Sequence, residues 1–219
     1  MTTCRFCFQV TGVLKFLSHL DLLKMFNRAL LRAELPAAYS EGFNPHLKIS
    51  FGPPRGVGIE GLAEWGDLQL KTELPPDEVI QRLNSALPQG VRVTDARLLP
   101  PEPHPALMAV IRLAVYEAEF ASDTDWAALA ERVQTFWQAD KWEIERFHPK
   151  KGVKIIDVRR GVSKLLLSGN KLLLEIPFAE AGAVKPKEIL QAVMPDNITY
   201  CLRRVGLYAM NEAGEPVLP

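Results

Sequence analysis

Residues 5–33 read RFCFQVTGVLKFLSHLDLLKMFNRALLRA, a strand followed by a helix. Phe6 and Phe8 alternate with Arg5, Cys7 and Gln9, the period of two that a half-buried strand requires. Thr11 and Gly12 turn the chain. Ser18 occupies the place of an N-cap, and Asp21 three residues later makes a short version of the capping box. Leu22, Leu23, Phe26, Ala29, Leu30 and Ala33 then recur at helical spacing, which predicts an amphipathic helix over 19–33, stopped by Pro36. Working outward, His46–Phe51, Glu64–Leu70 and Val91–Leu98 alternate as strands. Asp77–Leu87 carries Val79, Ile80, Leu83 and Leu87 on one helical face. The resulting order is βαββαβ, the ferredoxin-like unit, an antiparallel sheet with two helices on one face.

Pro100, Pro101, Pro103 and Pro105 crowd the next stretch, and proline disfavours both helix and central strand. The expectation is a linker at 99–105 between domains 1–100 and 106–219. The second half repeats the order more loosely. Leu107–Phe120 reads as a long strand. Asp123 caps a helix with a buried stripe of Leu129, Ala130, Val133, Phe136 and Trp137. Trp142–Phe147 and Val153–Val158 are short strands. Lys164–Ser168 and Lys171–Glu175 form a hairpin about Gly169-Asn170. Pro186 opens a helix running to Val193, and Thr199–Ala209 closes the sheet. The expected fold class is α+β, two tandem ferredoxin-like domains with antiparallel sheets.

Composition narrows the function classes. The chain has 219 residues, 47% of them hydrophobic, with 26 basic side chains balancing 26 acidic ones. These are the proportions of a folded protein, not of a disordered or collagen-like one. No run approaches the ~18 apolar residues of a membrane span, so no membrane partner is expected. The opening MTTCRFCFQV does not read as a secretory signal. Three cysteines argue for a reducing compartment, and a cytoplasmic location is the expectation. Cys4-x-x-Cys7 lacks a second Cys or His pair to complete a zinc site, and alternation sends the two thiols to opposite faces of a strand. Neither a metal nor another cofactor is expected. Serine-protease, phosphate-loop and dinucleotide motifs are absent.

The zero net charge conceals local imbalance. Residues 1–60 carry +3 and residues 146–171 carry +7, with Asp157 the lone acid of the latter stretch. Lys24, Arg28 and Arg32 recur every four residues and align as one ridge on the first helix, able to follow a phosphate backbone. Lys15, His46, Lys48 and Arg55 lie in adjoining segments, and Tyr39, Phe43 and Asn44 could stack on or read unpaired bases. In the second half Lys150, Lys151, Lys154 and Arg160 extend the candidate RNA-binding set. Of Arg159 and Arg160, alternation turns one inward or across an edge, where Asp157 or another acid would pair with it. His19 and His46 are the weak catalytic candidates, as an acid–base pair acting on RNA. The nucleic-acid reading requires the lysines and arginines of both halves to converge in space as one anion-attracting surface, neither dispersed over unrelated sides nor neutralised by neighbouring carboxylates.

Leu14-Lys-Phe-Leu-Ser-His-Leu-Asp-Leu22, Leu35-Pro36, Tyr39-Ser-Glu-Gly-Phe-Asn-Pro-His46, Ser50-Phe51 and Val57-Gly-Ile-Glu60 together carry a family resemblance. So do Asp157-Val-Arg159, Lys185-Pro186 and Arg204-Val-Gly-Leu207. The chain resembles, over its whole length, the bacterial radical SAM-linked protein family, a domain of unknown function found alone or fused behind B12-binding-type radical SAM proteins. The resemblance implies partnership with a radical SAM enzyme and supplies no activity. The chain lacks the three closely spaced cysteines that would hold the cluster of such an enzyme. The first half is also similar, at the level of fold analogy, to ferredoxin-like RNA-processing proteins such as CRISPR repeat endoribonucleases. The expected function is a non-catalytic RNA-binding accessory module that presents structured RNA, transfer or ribosomal, to a radical SAM partner. The alternatives are a protein–protein adaptor for that partner and, last, a metal-independent endoribonuclease.

Overall fold

Four phenylalanines organise the first half of the chain. In the computed structural model, which describes residues 1–101, 104–121, 124–148, 152–178, 184–194 and 198–219, the rings of Phe8, Phe26 and Phe51 stand 5.0–5.3 Å apart, with Phe6 at 5.7 Å from both Phe8 and Phe26. Such tilted and edge-on pairs add about 0.5–1.5 kcal/mol each beyond their area burial. They join a strand, a helix and a second strand into one core.

The chain is α+β, and two compact units divide it: Met1–Ile111 with Arg204–Pro219, and Arg112–Arg203. In the first unit β1 (Thr2–Val10), α1 (His19–Arg32), β2 (Ile49–Phe51), β3 (Glu60–Leu70), α2 (Pro76–Ala86) and β4 (Val91–Leu98) follow one another. The strand order is β4-β1-β3, with β2 also on β3. Every one of these pairings is antiparallel, with Cys4 opposite Leu68, Phe6 opposite Gly66 and Ser50 opposite Asp67. This register puts Cys4, Phe6, Phe8 and Leu68 on one face, and Arg5, Cys7, Trp65, Asp67 and Gln69 on the other. Helix α1 buries Leu22, Phe26, Ala29 and Leu30, and α2 buries Val79 and Leu83. Gly66 is required by this packing: a Cβ there would lie 2.5 Å from the Phe6 ring.

Local chemistry sets the ends of α1. The Ser18 hydroxyl accepts from the Asp21 amide at 3.2 Å and donates to its carboxylate at 2.7 Å. At the other end Glu34 turns left-handed, φ 51°, before Pro36. Strand β2 is shorter than the expected 46–51. The His46 amide donates to Ser40 Oγ instead of to a ladder partner, and Leu47 makes only an isolated bridge with Tyr39. Strand β3 starts four residues early, at Glu60.

The proline-rich stretch belongs to the first unit. The Leu99 amide donates to Thr3 O, and Arg5 Nη2 donates to Pro105 O at 3.4 Å. Leu107–Val110 forms a helical turn, α3, in place of strand, because the Ala109 and Val110 amides both donate to Ala106 O. The C-terminal residues return to the same unit. Arg204 enters it fully buried, and Arg97 donates to Pro219 O.

The second unit contains β5 (Ile111–Phe120), α4 (Trp126–Gln138), β6 (Glu143–His148), β7 (Gly152–Asp157), β8 (Lys164–Ser168), β9 (Lys171–Pro177), α5 (Pro186–Val193) and the start of β10 (Tyr200–Met210). The final strand, β11 (Pro216–Val217), pairs with the end of β10 in the first unit. The strand order in the second unit is β10-β5-β9-β8, and β6 and β7 form a separate hairpin. The β8–β9 turn uses Gly169 at φ 58°. Helix α4 buries Leu129, Val133 and Phe136, while Ala130 is exposed. Asp125 caps this helix through the Ala128 amide; the expected cap Asp123 lies outside the described residues. No helix among the described residues is long and apolar enough to cross a membrane.

Candidate nucleic-acid interface

Because α1 buries one stripe, its opposite face must meet water. That face presents Lys24, Arg28 and Arg32, all exposed. Four residues of α-helix advance about 6 Å, so the three cations form a row along the axis. They edge a groove of about 610 Å³ with an apolar floor of Leu14, Leu17, Met25 and Pro88. Lys24 lies 3.8 Å from Asp21 across an exposed pair, which is worth little in water. The Ser18 hydroxyl, and then Lys24, hold the Asp21 carboxyl below its ordinary range. Arg32 Nη2 donates to Ala86 O at 2.6 Å, fixing that end of the row to α2. Arg28 has no ion-pair partner among the described residues. An apolar trough under a row of cations suits a chain with flat apolar groups and regularly spaced negative charge.

The remaining candidates of the first unit stand elsewhere. Tyr39 is exposed, with Lys71 Nζ 5.3 Å from its ring centroid. Phe43 and Asn44 are fully exposed in the loop before β2. His46 and Lys48 line a second cleft, of about 300 Å³, against the other face of the sheet. Lys15 lies over the ring of Phe16.

Arg55 is a structural staple. Its guanidinium donates to Lys15 O at 2.8 Å and to Ile59 O, closing the loop between β2 and β3. Burial lowers its proton affinity, against the opposing pull of Glu64. His19 packs edge-on to Phe51 and borders a small pocket with Ser18 and Arg55. His46 lines the other cleft, so the structure does not bring the two imidazoles together as an acid–base pair.

In the second unit four of the six described cations of the positive stretch have a carboxylate partner. Arg146 grips Glu188 through two bonds of 2.6–2.7 Å. Arg160 pairs with Asp157 at 3.5 Å, Lys164 with Glu175 at 3.4 Å and Lys171 with Glu117 at 3.0 Å. The inward-turned arginine is Arg159. It meets Asp157 through its backbone amide and stacks its guanidinium 4.0 Å from the Trp137 ring. Lys154 stays exposed, opposite Arg146 in the β6–β7 hairpin. Lys150 and Lys151 lie outside the described residues.

Sequence reasoning missed two buried ion pairs that hold the first unit's loops. Arg5 and Asp67 join through bonds of 2.7 and 2.8 Å. Arg204 joins both carboxylate oxygens of Glu64 and donates to Pro53 O at 2.8 Å and Pro54 O at 3.3 Å. The signal was available: Arg5, Glu64, Asp67 and Arg204 are charges inside otherwise apolar strands, where a charge is stable only when paired. The groove's apolar floor had no such signal, since it joins residues from three segments.

Among curated proteins nothing matches the sequence. The model of a family described as uncharacterized protein conserved in bacteria (DUF2344) matches residues 4–186, and the chain belongs to that family.

Proposed function

We propose that this protein is a non-catalytic RNA-binding module and that α1 is its principal contact with the phosphate backbone. The observation that carries the reading is the row Lys24, Arg28 and Arg32 above an apolar groove of about 610 Å³. Cations one helical turn apart match a backbone that repeats its charge at each nucleotide, and the groove offers apolar surface to bases. The element orders and strand orders of the two units support tandem ferredoxin-like domains, the second with the β6–β7 hairpin inserted. Partnership with a radical SAM enzyme is what the family resemblance implies; the structured-RNA substrate rests on the basic row and its groove. We assign the interface to the first unit, where the row of cations and the apolar groove occur together.

Filter binding against transfer and ribosomal RNA at several salt concentrations tests the reading. The parent should bind with steep salt dependence. Lys24→Ala/Arg28→Ala should bind weakly, and its log–log salt slope should be shallower by about 1.4, at roughly 0.7 for each lost contact to a single strand. Absent binding, salt-insensitive binding or an unchanged double variant refutes it.

A second reading, the protein–protein adaptor, has its own observation. Val13, Phe16 and Leu20 are exposed at the approach to α1, and Val57 is exposed in the following loop. Under that reading, co-purification with the enzyme survives nuclease and high salt.

A further inference from the structure

The second cleft lies on the sheet face away from α1 and has the make-up of a small-molecule site. It measures about 300 Å³, and its lining includes His46, Lys48, Ser50, Asp67, Gln69 and His104. That volume is at the lower end of ordinary ligand pockets. Alternation explains its polarity: Asp67 and Gln69 project from β3 on the side opposite Leu68, and Ser50 sits across from Asp67 in the β2–β3 register.

The charges of the lining decide what it accepts. Asp67 is already committed to Arg5 through two bonds, so its negative charge is cancelled beneath the cleft. Lys48 has no counter-ion among the described residues. His46 is held by Ser40, whose Oγ accepts from the His46 amide at 3.0 Å and lies 2.8 Å from Nδ1. In the tautomer whose Nδ1 accepts the hydroxyl hydrogen, the ring proton sits on Nε2 as a donor. Among the described residues His104 Nδ1 is buried without a hydrogen-bond partner, an uncompensated group of the kind a ligand satisfies. The lining thus offers an ammonium, an imidazole and a hydroxyl, and its carboxylate, Asp67, is bonded to Arg5.

We infer that this cleft binds a phosphate monoester, with Lys48 and His46 on the phosphate. The chemistry is shared by a free mononucleotide and by the phosphorylated end of an RNA strand. The site is separate from the α1 groove and does not rest on it.

Calorimetric titration of the full chain with AMP, adenosine, inorganic phosphate and a trinucleotide with or without a 5′-phosphate tests the inference. AMP or the phosphorylated trinucleotide binds saturably, and its dephosphorylated counterpart binds at least tenfold more weakly. Preference for AMP identifies a free mononucleotide, and preference for the trinucleotide identifies an RNA end. Lys48→Ala, whose side chain supports no described contact, weakens binding at least tenfold, and His46→Ala weakens it too. Arg28→Ala reduces RNA binding along α1 while the AMP titration keeps its dependence on Lys48, so the two sites fail separately. Absence of phosphate-dependent binding, or full binding by Lys48→Ala with an unaltered melting curve, overturns it.

Discussion

Replacing Glu64 by Gln should cost the first unit a large part of its stability. Arg204 is completely buried, and Glu64 nearly so. The guanidinium bonds both carboxylate oxygens from Nε and Nη2, and it also holds the carbonyls of Pro53 and Pro54. Gln keeps one acceptor but turns an amide NH₂ toward a guanidinium N–H, donor against donor. It also leaves a positive charge in the interior without its opposite. Breaking a buried pair in this way costs about 3–5 kcal/mol, against a total stability of about 5–15 kcal/mol for a typical domain. At roughly 2–4 °C per kcal/mol for a chain of this size, the melting midpoint should fall by about 6–20 °C. Urea denaturation followed by fluorescence reports on the first unit through Trp65, buried one residue from Glu64, alongside the three tryptophans of the second unit. The 53–59 loop gives a second readout. With Arg204 no longer anchored, trypsin should cut after Arg55 faster than in the parent. Arg204→Met alone should be comparably damaging. The double variant Glu64→Gln/Arg204→Met should be more stable than the sum of the two losses by about 2–3 kcal/mol, since it leaves no unpaired charge. A Glu64→Gln protein within about 0.5 kcal/mol of the parent, or strict additivity in the cycle, would refute the reasoning.

Two other perturbations follow from local geometry. Ser18→Ala removes the α1 cap and should lower stability by about 1 kcal/mol, measured by urea midpoint, while Ser18→Thr, which keeps the hydroxyl that bonds the Asp21 amide and carboxylate, should retain most of it. Burial, and then Asp67, push the Cys4 thiol from 9.0 up to about 11. The folded state therefore holds this proton more tightly than the unfolded chain, so its contribution is complete below pH 9 and declines as pH rises toward about 11. At pH 8 iodoacetamide should label the half-buried Cys201 first, and Cys4 only on unfolding; rapid native labelling of Cys4 would contradict its placement.

Much of this architecture was legible in the amino acids. The alternation about Phe6 and Phe8, the Ser18 cap, the stripe from Leu22 to Leu30, the Gly169-Asn170 turn and Pro186 at a helix start each act over a few residues, where periodicity and turn chemistry dominate. The ridge Lys24, Arg28 and Arg32 was legible for the same reason: helical pitch alone aligns it. Where expectations and structure diverge, distant residues intervene. His46–Phe51 was read as a strand, but Ser40 captures the His46 amide and the strand pairing starts only at Ile49, while the loop tip with Phe43 stands in solvent. Arg55 looked like a ligand-facing cation, and two backbone carbonyls claim it. The positive stretch from Arg146 to Lys171 was countable in the sequence, yet Glu188, Glu175 and Glu117, remote or across a strand, decide how much of that charge is available.

Sequence alone determined the α+β alternation, the capped amphipathic α1 and its row of cations, because each depends on spacing along one chain segment. Tertiary structure decided which charges stay free, that residues 99–105 and the C-terminus pack within the first unit, and that His46, Lys48 and His104 share a cleft. Ion pairing and burial depend on distances between segments far apart in the chain, and no local periodicity encodes those distances.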